Sequence, residues 1–221
     1  SALEAARLWQ SALRATPASE DEREIFSPAP PQGTARLRRA IAHHLHGTRG
    51  MNVDPNNIVI GAGAQLLDTM LVQLLGADKV YAVEDPGYLL LTRIYQAMGC
   101  KVRHIPLDDE GVVLSTLQKS GTDVLHLMPS HQYPTGLVTS IARRYALLSW
   151  AAERPGRYLI EDDFDCEFRL AGKPIPALAS IDAAQSVIYT NTFSKSLSSA
   201  LRLAYMVLPD ELMERFRCNL G

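Results

Sequence analysis

The chain has 221 residues, of which 47% are hydrophobic and 21% are charged, and its formal net charge at pH 7 is −2. These values are ordinary for a globular protein of one large domain. Because the net charge is small, the chain has no overall electrostatic field that attracts nucleic acid or an anionic membrane. Any DNA-binding role would therefore have to come from outside this chain. The apolar runs are too short to span a membrane, and the N-terminus lacks the basic-then-apolar pattern of a signal peptide.

The cysteine content indicates a reducing compartment. Three cysteines are present, an odd number, and they are widely spaced at positions 100, 166 and 218. This spacing fits neither a disulfide framework nor a zinc site. We therefore expect free thiols and a cytoplasmic location, with no membrane partner.

Hydrophobic periodicity predicts two N-terminal helices followed by alternating strands and helices. The N-terminal helices are predicted at residues 3–14, with Trp9 on the apolar face, and at residues 35–46. Predicted strands then follow at 58–60, 80–83, 102–105, 124–128, 158–160, 187–189 and 203–208, and predicted helices at 66–75, 89–98, 114–118 and 142–152.

Alternation of this kind, with short connections, predicts a three-layer α/β sandwich around a mostly parallel sheet of seven strands. Too few residues separate the last two strands for a crossover helix, so we expect the last strand to be antiparallel. In such a sheet a ligand binds at the carboxyl ends of the strands, and the residues that follow each strand are the candidate site.

The segment Gly61-Ala62-Gly63-Ala64-Gln65 joins a strand to a helix. Its small residues would let backbone N–H groups approach a phosphate at the helix N-terminus. A dinucleotide fingerprint is a weaker alternative because Leu66 occupies the position of the third glycine. A purely structural turn is the third interpretation.

Two side chains after other strands suit a flat heteroaromatic ring. Tyr88, after Pro86-Gly87, could lie against the ring or simply cover the sheet edge. Asp162 ends an apolar strand, and a partly desolvated carboxylate there could hold a proton on a pyridine nitrogen. The alternative for Asp162 and the neighbouring acidic residues is a magnesium site for phosphoryl transfer, but no P-loop sequence accompanies it.

The loop between the last two strands contains Lys195 among small hydroxyl residues. A lysine amine can form a Schiff base with a carbonyl cofactor, while Thr192, Ser194 and Arg202 could hold its phosphate. A serine-rich loop with two surface cations is the alternative interpretation of the same residues.

Five motifs in chain order resemble the fold-type I pyridoxal-phosphate enzymes. The similarity is to class I/II aminotransferases, and within them to the aminotransferase-like domain of GntR-type transcription regulators of the MocR group. The motifs are Gly-Ala-Gln at 63–65, Glu-Asp-Pro-Gly-Tyr at 84–88, Pro-Ser-His-Gln-Tyr-Pro-Thr-Gly at 129–136, Glu-Asp-Asp-Phe-Asp-Cys-Glu-Phe at 161–168 and Thr-Phe-Ser-Lys-Ser-Leu at 192–197.

The resemblance implies that residues 1–221 form the large domain that binds pyridoxal 5'-phosphate, with Lys195 and Asp162 as the reactive pair and no metal. Lys195 would form the internal aldimine, Asp162 would pair with the pyridine nitrogen, and Tyr88 would stack on the ring. The implied phosphate-binding residues are Ala64, Gln65, Thr192, Ser194 and Arg202. The other implied cofactor-binding residues are Gly63, Tyr133 and Phe164.

Two positions depart from the enzymes in this family. Tyr133 stands where the enzymes usually have an asparagine, and Phe164 stands where they usually have a tyrosine. Both usual residues donate hydrogen bonds to the ring oxygen of the cofactor. These departures favour a domain that senses an amino acid or amine through external aldimine formation, as opposed to an efficient transaminase.

Three functional hypotheses therefore stand. The first is the effector domain of a transcription regulator, which would contact DNA only through an N-terminal winged helix outside this chain. The second is a working aminotransferase of the aminoadipate or aromatic type, and the third is a metal-dependent phosphotransferase built on the Asp162 cluster. The resemblance also implies a homodimer and a small C-terminal domain that this chain does not contain.

Overall fold

The structure is a computed structural model, and it describes residues 2–15, 28–164, 175–193 and 202–220. Within those residues the strands are β1 (Ile58–Gly61), β2 (Val80–Asp85), β3 (Lys101–Asp108), β4 (Gly111–Val112), β5 (Val124–Leu127), β6 (Tyr158–Asp162), β7 (Val187–Thr192) and β8 (Ala204–Val207). The helices are α1 (Ala2–Ala15), α2 (Ala35–Arg49), α3 (Ala64–Leu75), α4 (Leu89–Ala97), α5 (Leu114–Lys119), α6 (Ile141–Ala152), α7 (Leu178–Ile181) and α8 (Asp210–Asn219), with a 3₁₀ turn at Pro55–Asn57.

All the described strands belong to one sheet, in the order β1-β8-β7-β6-β5-β2-β3-β4. The pairs from β7 through β6, β5 and β2 to β3 are parallel. Strand β8 is antiparallel to both of its neighbours, β1 and β7, which confirms the prediction for the last strand. The mostly parallel α/β architecture is likewise confirmed.

The sheet has eight strands where the sequence predicted seven. The additional strand is β4, whose two residues pair antiparallel with Leu107 and Asp108 of β3. Two residues are too few to show an alternating pattern, which is why the sequence did not indicate this strand.

Both faces of the sheet are covered by helices, as the alternation of side chains along a strand requires. On one face α3, α4 and α8 pack on side chains such as Tyr81, Val83 and Ile160. On the other face α5, α6 and α7 pack on Ala82, Leu125 and their neighbours, and α2 covers the part of this face near β1 and β8. The result is three layers with an apolar core on each side of the sheet. No helix in the described part of the chain is long and apolar enough to cross a membrane.

Local sequence signals explain where the helices begin and end. Ser140 caps α6, because its hydroxyl accepts a hydrogen bond from the Arg143 N–H at 3.1 Å. Gly50 ends α2 in the left-handed conformation, with φ 64°, and donates its N–H to the His46 carbonyl. These caps fix the ends of helices that support the loops at the carboxyl edge of the sheet.

Candidate functional site

The candidate site lies at the sheet edge where the parallel strands end. Strands β1, β2, β5, β6 and β7 all run toward this edge, and the residues that lead into β8 start from it. The strand order therefore places most of the predicted site residues at one edge of the sheet, although they are spread over more than 130 positions of the sequence. The same strand order places β6 and β7 near the middle of the group.

Asp162 ends β6 and is separated in space from the acidic residues on either side of it. Its side chain is 15% exposed and lies on the same side as His126, 3.7 Å from His126 Nε2. The Glu161 carboxylate instead accepts hydrogen bonds from the N–H groups of Leu178 and Ala179, both at 2.9 Å. Asp163 pairs with Arg49 at 2.8 Å.

Because successive residues of a strand point to opposite faces, Asp162 points away from Glu161 and Asp163. Burial, together with nearby Asp163, raises the pKa of Glu161 to about 7 against the two backbone donors. Burial also raises the pKa of Asp163, against the opposing effect of Arg49. In the described parts of the chain no three His, Cys, Asp or Glu side chains are placed to hold a metal ion.

A concave anion cradle forms where α3 begins. Gly63 precedes the helix with φ 101°, and the guanidinium of Arg202 packs against it. A Cβ atom added at Gly63 would lie 2.7 Å from Arg202 Cζ and nearer still to Nη2. The first N–H groups of a helix have no acceptor within the helix and face outward. Gly63, Ala64 and Gln65 thus present backbone donors beside a fixed cation, a combination that binds phosphate.

Arg202 itself adopts the left-handed backbone conformation, with φ 49°. A side chain other than glycine rarely adopts this conformation, and the strain is typical of functional sites. The next residues enter β8, whose Ala204 pairs with Gly61 on one side and with Thr192 on the other. Sheet pairing therefore holds Arg202 next to Gly63.

Tyr88 and Tyr133 meet at the open side of the site. Their rings are arranged edge to face with centroids 5.8 Å apart, and the two side chains are 44% and 51% exposed. Tyr88 thus presents an accessible aromatic face near the strand ends.

The buried side chain of Gln132 connects the loops that carry these two tyrosines. Its Nε2 lies 2.8 Å from the Pro86 carbonyl and 2.6 Å from the Tyr133 carbonyl, and its Oε1 accepts from the Thr135 hydroxyl at 2.6 Å. No sequence pattern indicated a role for Gln132. A fully buried amide in a loop is revealed only by its contacts.

The remaining predicted residues are placed as follows. Thr192 ends β7, and its hydroxyl donates to the Leu203 carbonyl at 3.3 Å, so it would have to turn to reach a phosphate. The Phe164 ring is stacked on His131, with centroids 6.2 Å apart and planes inclined by 13°. Ser194 and Lys195 lie outside the described residues.

Fold and site together define an α/β protein with an anion cradle, a partly buried carboxylate and an exposed aromatic face at the carboxyl edge of its sheet. The sequence profile of the family Aminotransferase class I and II matches residues 3–218. The chain belongs to that family.

Two relatives in sequence are informative. The HTH-type transcriptional regulator YdeL of Bacillus subtilis is 38% identical over 192 residues, which cover 87% of this chain and 41% of YdeL. The HTH-type pyridoxine biosynthesis transcriptional regulator PdxR of Corynebacterium glutamicum is 39% identical over 181 residues, or 82% of this chain and 39% of PdxR. The chain thus spans about two fifths of the length of these regulators.

Among solved structures, LysN, the α-aminoadipate aminotransferase of Thermus thermophilus, superimposes with a TM-score of 0.78 at 28% identity. The match covers 99% of this chain and 56% of LysN. That structure contains N-(5'-phosphopyridoxyl)-L-leucine. The similarity extends over the whole described fold.

Two buried carboxyl groups lie behind Asp162. Burial raises the pKa of Asp68 to about 7; nearby Asp162 adds to the rise and His126 opposes it. Burial likewise raises the pKa of Glu84 to about 7, against hydrogen bonds from the Met128 N–H at 3.1 Å and the Gln132 side chain at 3.3 Å. Both groups therefore bind protons more tightly in the folded protein than in the unfolded chain.

Replacing Asp68 by asparagine should change the pH dependence of stability. The raised pKa means that the wild-type protein loses stability as the pH rises from about 4 to about 7, because the carboxyl must ionise while buried. The amide cannot ionise. Relative to wild type, Asp68→Asn should therefore be more stable at pH 8 than at pH 4, by up to about 4 kcal/mol in the free energy of unfolding.

Urea unfolding at the two pH values, without added ligand, measures this difference. Asp109→Asn is the matched control because Asp109 is exposed in the turn between β3 and β4. We expect its stability relative to wild type to be the same at both pH values. Equal behaviour of the two variants would show that Asp68 is not forced to ionise in a buried position.

Proposed function

We propose that this chain is the domain of a GntR/MocR-type transcription regulator that binds pyridoxal 5'-phosphate and senses an amino acid or amine. The observation on which the proposal rests is the pairing of two sites at one sheet edge. The anion cradle at Gly63 and Arg202 suits a phosphate, and Asp162 suits a basic ring nitrogen. The loop that contains Lys195 leaves β7 between them in the strand order.

The chemistry of the described residues suits this cofactor. The cradle combines outward-facing N–H groups of α3 with the Arg202 guanidinium, the donors that a phosphate dianion requires. Asp162 is largely but not fully buried, so a carboxylate there can accept a proton-bearing nitrogen without exposure to bulk water. Tyr88 offers an aromatic face for stacking.

When bound, pyridoxal phosphate supplies an aldehyde that reacts with primary amines and a ring that withdraws electrons when its nitrogen is protonated. The protein has three tasks here. The cradle would orient the ligand through its phosphate, Asp162 would hold a proton on the ring nitrogen, and Lys195 would supply the amine that reacts with the aldehyde.

Two features support a sensor in preference to a transaminase. Phe164 has no hydroxyl and its ring is packed against His131, so it cannot donate to the ring oxygen of the cofactor. Tyr133 is half exposed and lies against Tyr88. The regulators YdeL and PdxR are also more similar in sequence to this chain than LysN is. An active aminotransferase is the alternative function.

We propose further that the protein acts as a homodimer and that DNA is bound by a domain outside this chain. Leu8 and Trp9 of α1 are 66% and 41% exposed, which suits burial against a second copy of the chain. The regulators match this chain over only about two fifths of their length, which leaves room for a DNA-binding domain in the remainder.

The phosphate cradle can be tested with Gly63→Ala. The added methyl group collides with the Arg202 guanidinium and also strains the backbone at φ 101°. We expect the dissociation constant for pyridoxal 5'-phosphate, measured from its visible absorption, to rise by about tenfold or more. Gly99→Ala is the control because Gly99 also has a positive φ, 83°, but an added Cβ meets nothing within 4 Å. Equal cofactor affinity of the two variants would contradict the cradle.

The sensor function can be tested by adding a panel of amino acids and amines to the cofactor-loaded protein. We expect at least one compound to shift the visible absorption band within minutes while carbonyl product stays below one equivalent per site. The shift reports binding at the aldehyde, and the product assay reports transamination. Sustained product formation would favour the aminotransferase.

Phe164→Tyr provides the matched variant for this experiment. A tyrosine hydroxyl would donate a hydrogen bond to the ring oxygen and stabilise its negative charge. The ring oxygen would then hold less strongly the proton that it shares with the Lys195 nitrogen. The pH midpoint of the visible band should therefore be lower in Phe164→Tyr than in wild type. An equal or higher midpoint would show that another donor, such as Tyr133, already serves the oxygen.

A further inference from the structure

His126 is a polar residue within the apolar strand β5, and its side chain is only 2% exposed. Both of its ring nitrogens face defined groups. Nδ1 lies 2.6 Å from the Tyr95 hydroxyl oxygen on α4, and Nε2 lies 3.7 Å from Asp162 Oδ2. An apolar side chain would suit this position in a strand better, so the retained imidazole calls for a functional explanation.

We propose that Tyr95 holds His126 with a proton on Nε2, and that His126 is a positioning residue that keeps the Asp162 carboxylate directed at the ligand's ring nitrogen. This inference rests on the proposed function, because it concerns how Asp162 meets a pyridine nitrogen.

The contacts with Tyr95 and Asp162 together select the histidine tautomer. Burial holds the pKa of Tyr95 well above its ordinary value, so its hydroxyl stays protonated. With a neutral imidazole, the Tyr95 O–H donates to Nδ1, and the ring proton must then be on Nε2, facing Asp162. With an imidazolium, Nδ1–H donates to the Tyr95 oxygen and Nε2 still has its proton. The opposite neutral tautomer would direct a lone pair at a carboxylate.

Acidic groups on three other elements act on His126. They are Asp162 on β6, Asp68 on α3 and Glu84 on β2. Burial lowers the pKa of His126, but these acidic groups more than offset it, so the pKa lies above that of an exposed histidine. The His126 ring beside Asp162 therefore keeps its positive charge to a higher pH than an exposed histidine does.

The separation of 3.7 Å is longer than a hydrogen bond but within the range of an ion pair. His126 thus acts on Asp162 mainly through charge, which is strong in a site shielded from water. Asp162 has its 15% exposed side open to a ring nitrogen, and His126 is the cationic partner on its buried side.

A pair of ligands isolates this effect. Pyridoxal 5'-phosphate and 1-deazapyridoxal 5'-phosphate differ only in the ring nitrogen, which is a C–H group in the second compound. The wild-type protein should bind the first more tightly, and the ratio of the two dissociation constants measures the contact between Asp162 and the nitrogen.

Two variants separate the roles of His126. Asparagine at this position reaches only the Tyr95 hydroxyl, so His126→Asn should reduce the ratio by about tenfold. In His126→Gln the amide N–H can reach toward Asp162 without a charge, so we expect part of the ratio to be recovered. His104→Asn is the control, because His104 is exposed and pairs with Thr92 at 3.0 Å. Its ratio should equal that of wild type.

Nitrogen-15 spectra of histidine-labelled protein give a second measurement that needs no cofactor. The His126 resonances should show a protonated Nε2 throughout the pH range in which the protein is folded, and Tyr95→Phe should allow the other neutral tautomer. These spectra do not depend on a change at His126, so they test the protonation of Nε2 even if the His126 variants fail to fold.

The possible failures are distinguishable. If wild-type protein does not bind pyridoxal 5'-phosphate at all, the proposed function is wrong. If it binds with a high ratio and His126→Asn keeps that ratio, His126 is not a positioning residue. If Nε2 has no proton when the His126 ring of the wild-type protein is neutral, the inference is also wrong.

Discussion

The pairing of β8 with both β1 and β7 is the constraint on which the site depends. Ala204 lies opposite Gly61 on one side and Thr192 on the other. The chain must reverse between Thr192 and Ala204, so β7 ends and β8 begins at the carboxyl edge of the sheet. The same register places Arg202 against Gly63, at a backbone conformation that is strained for arginine. A slip by one residue would turn Arg202 to the other face and open the cradle.

The interior behind Asp162 is more polar than stability alone would favour. Asp68, Glu84 and His126 are all buried, and apolar residues of similar volume would avoid the cost of desolvating them. Such a cluster is typical of a functional site, where burial and neighbouring charges shift pKa values for a purpose. Here it lies behind Asp162, whose side chain is partly exposed. These buried polar groups cost the fold stability, which supports the role proposed for them beside Asp162.

Sequence patterns predicted the architecture better than the details of the site. Apolar runs bounded by polar residues identified seven of the strands, and the short connection before β8 predicted its antiparallel direction. Strand β4 was missed because it has only two residues. His126 and Gln132 were missed because each is a single polar residue whose role depends on partners far away in the sequence. The separation of Asp162 from its acidic neighbours follows from strand alternation, but only their contacts show which face each one serves.

The central claim is that this chain holds pyridoxal phosphate through Lys195, and borohydride reduction followed by peptide mapping tests it most directly. Reduction makes the bond between a lysine amine and the cofactor permanent, so the labelled peptide identifies the residue. The account predicts label on Lys195 in the cofactor-loaded protein and none in Lys195→Ala. Label on Lys79, Lys101, Lys119 or Lys173 instead, or no visible absorption band on addition of the cofactor, would contradict it.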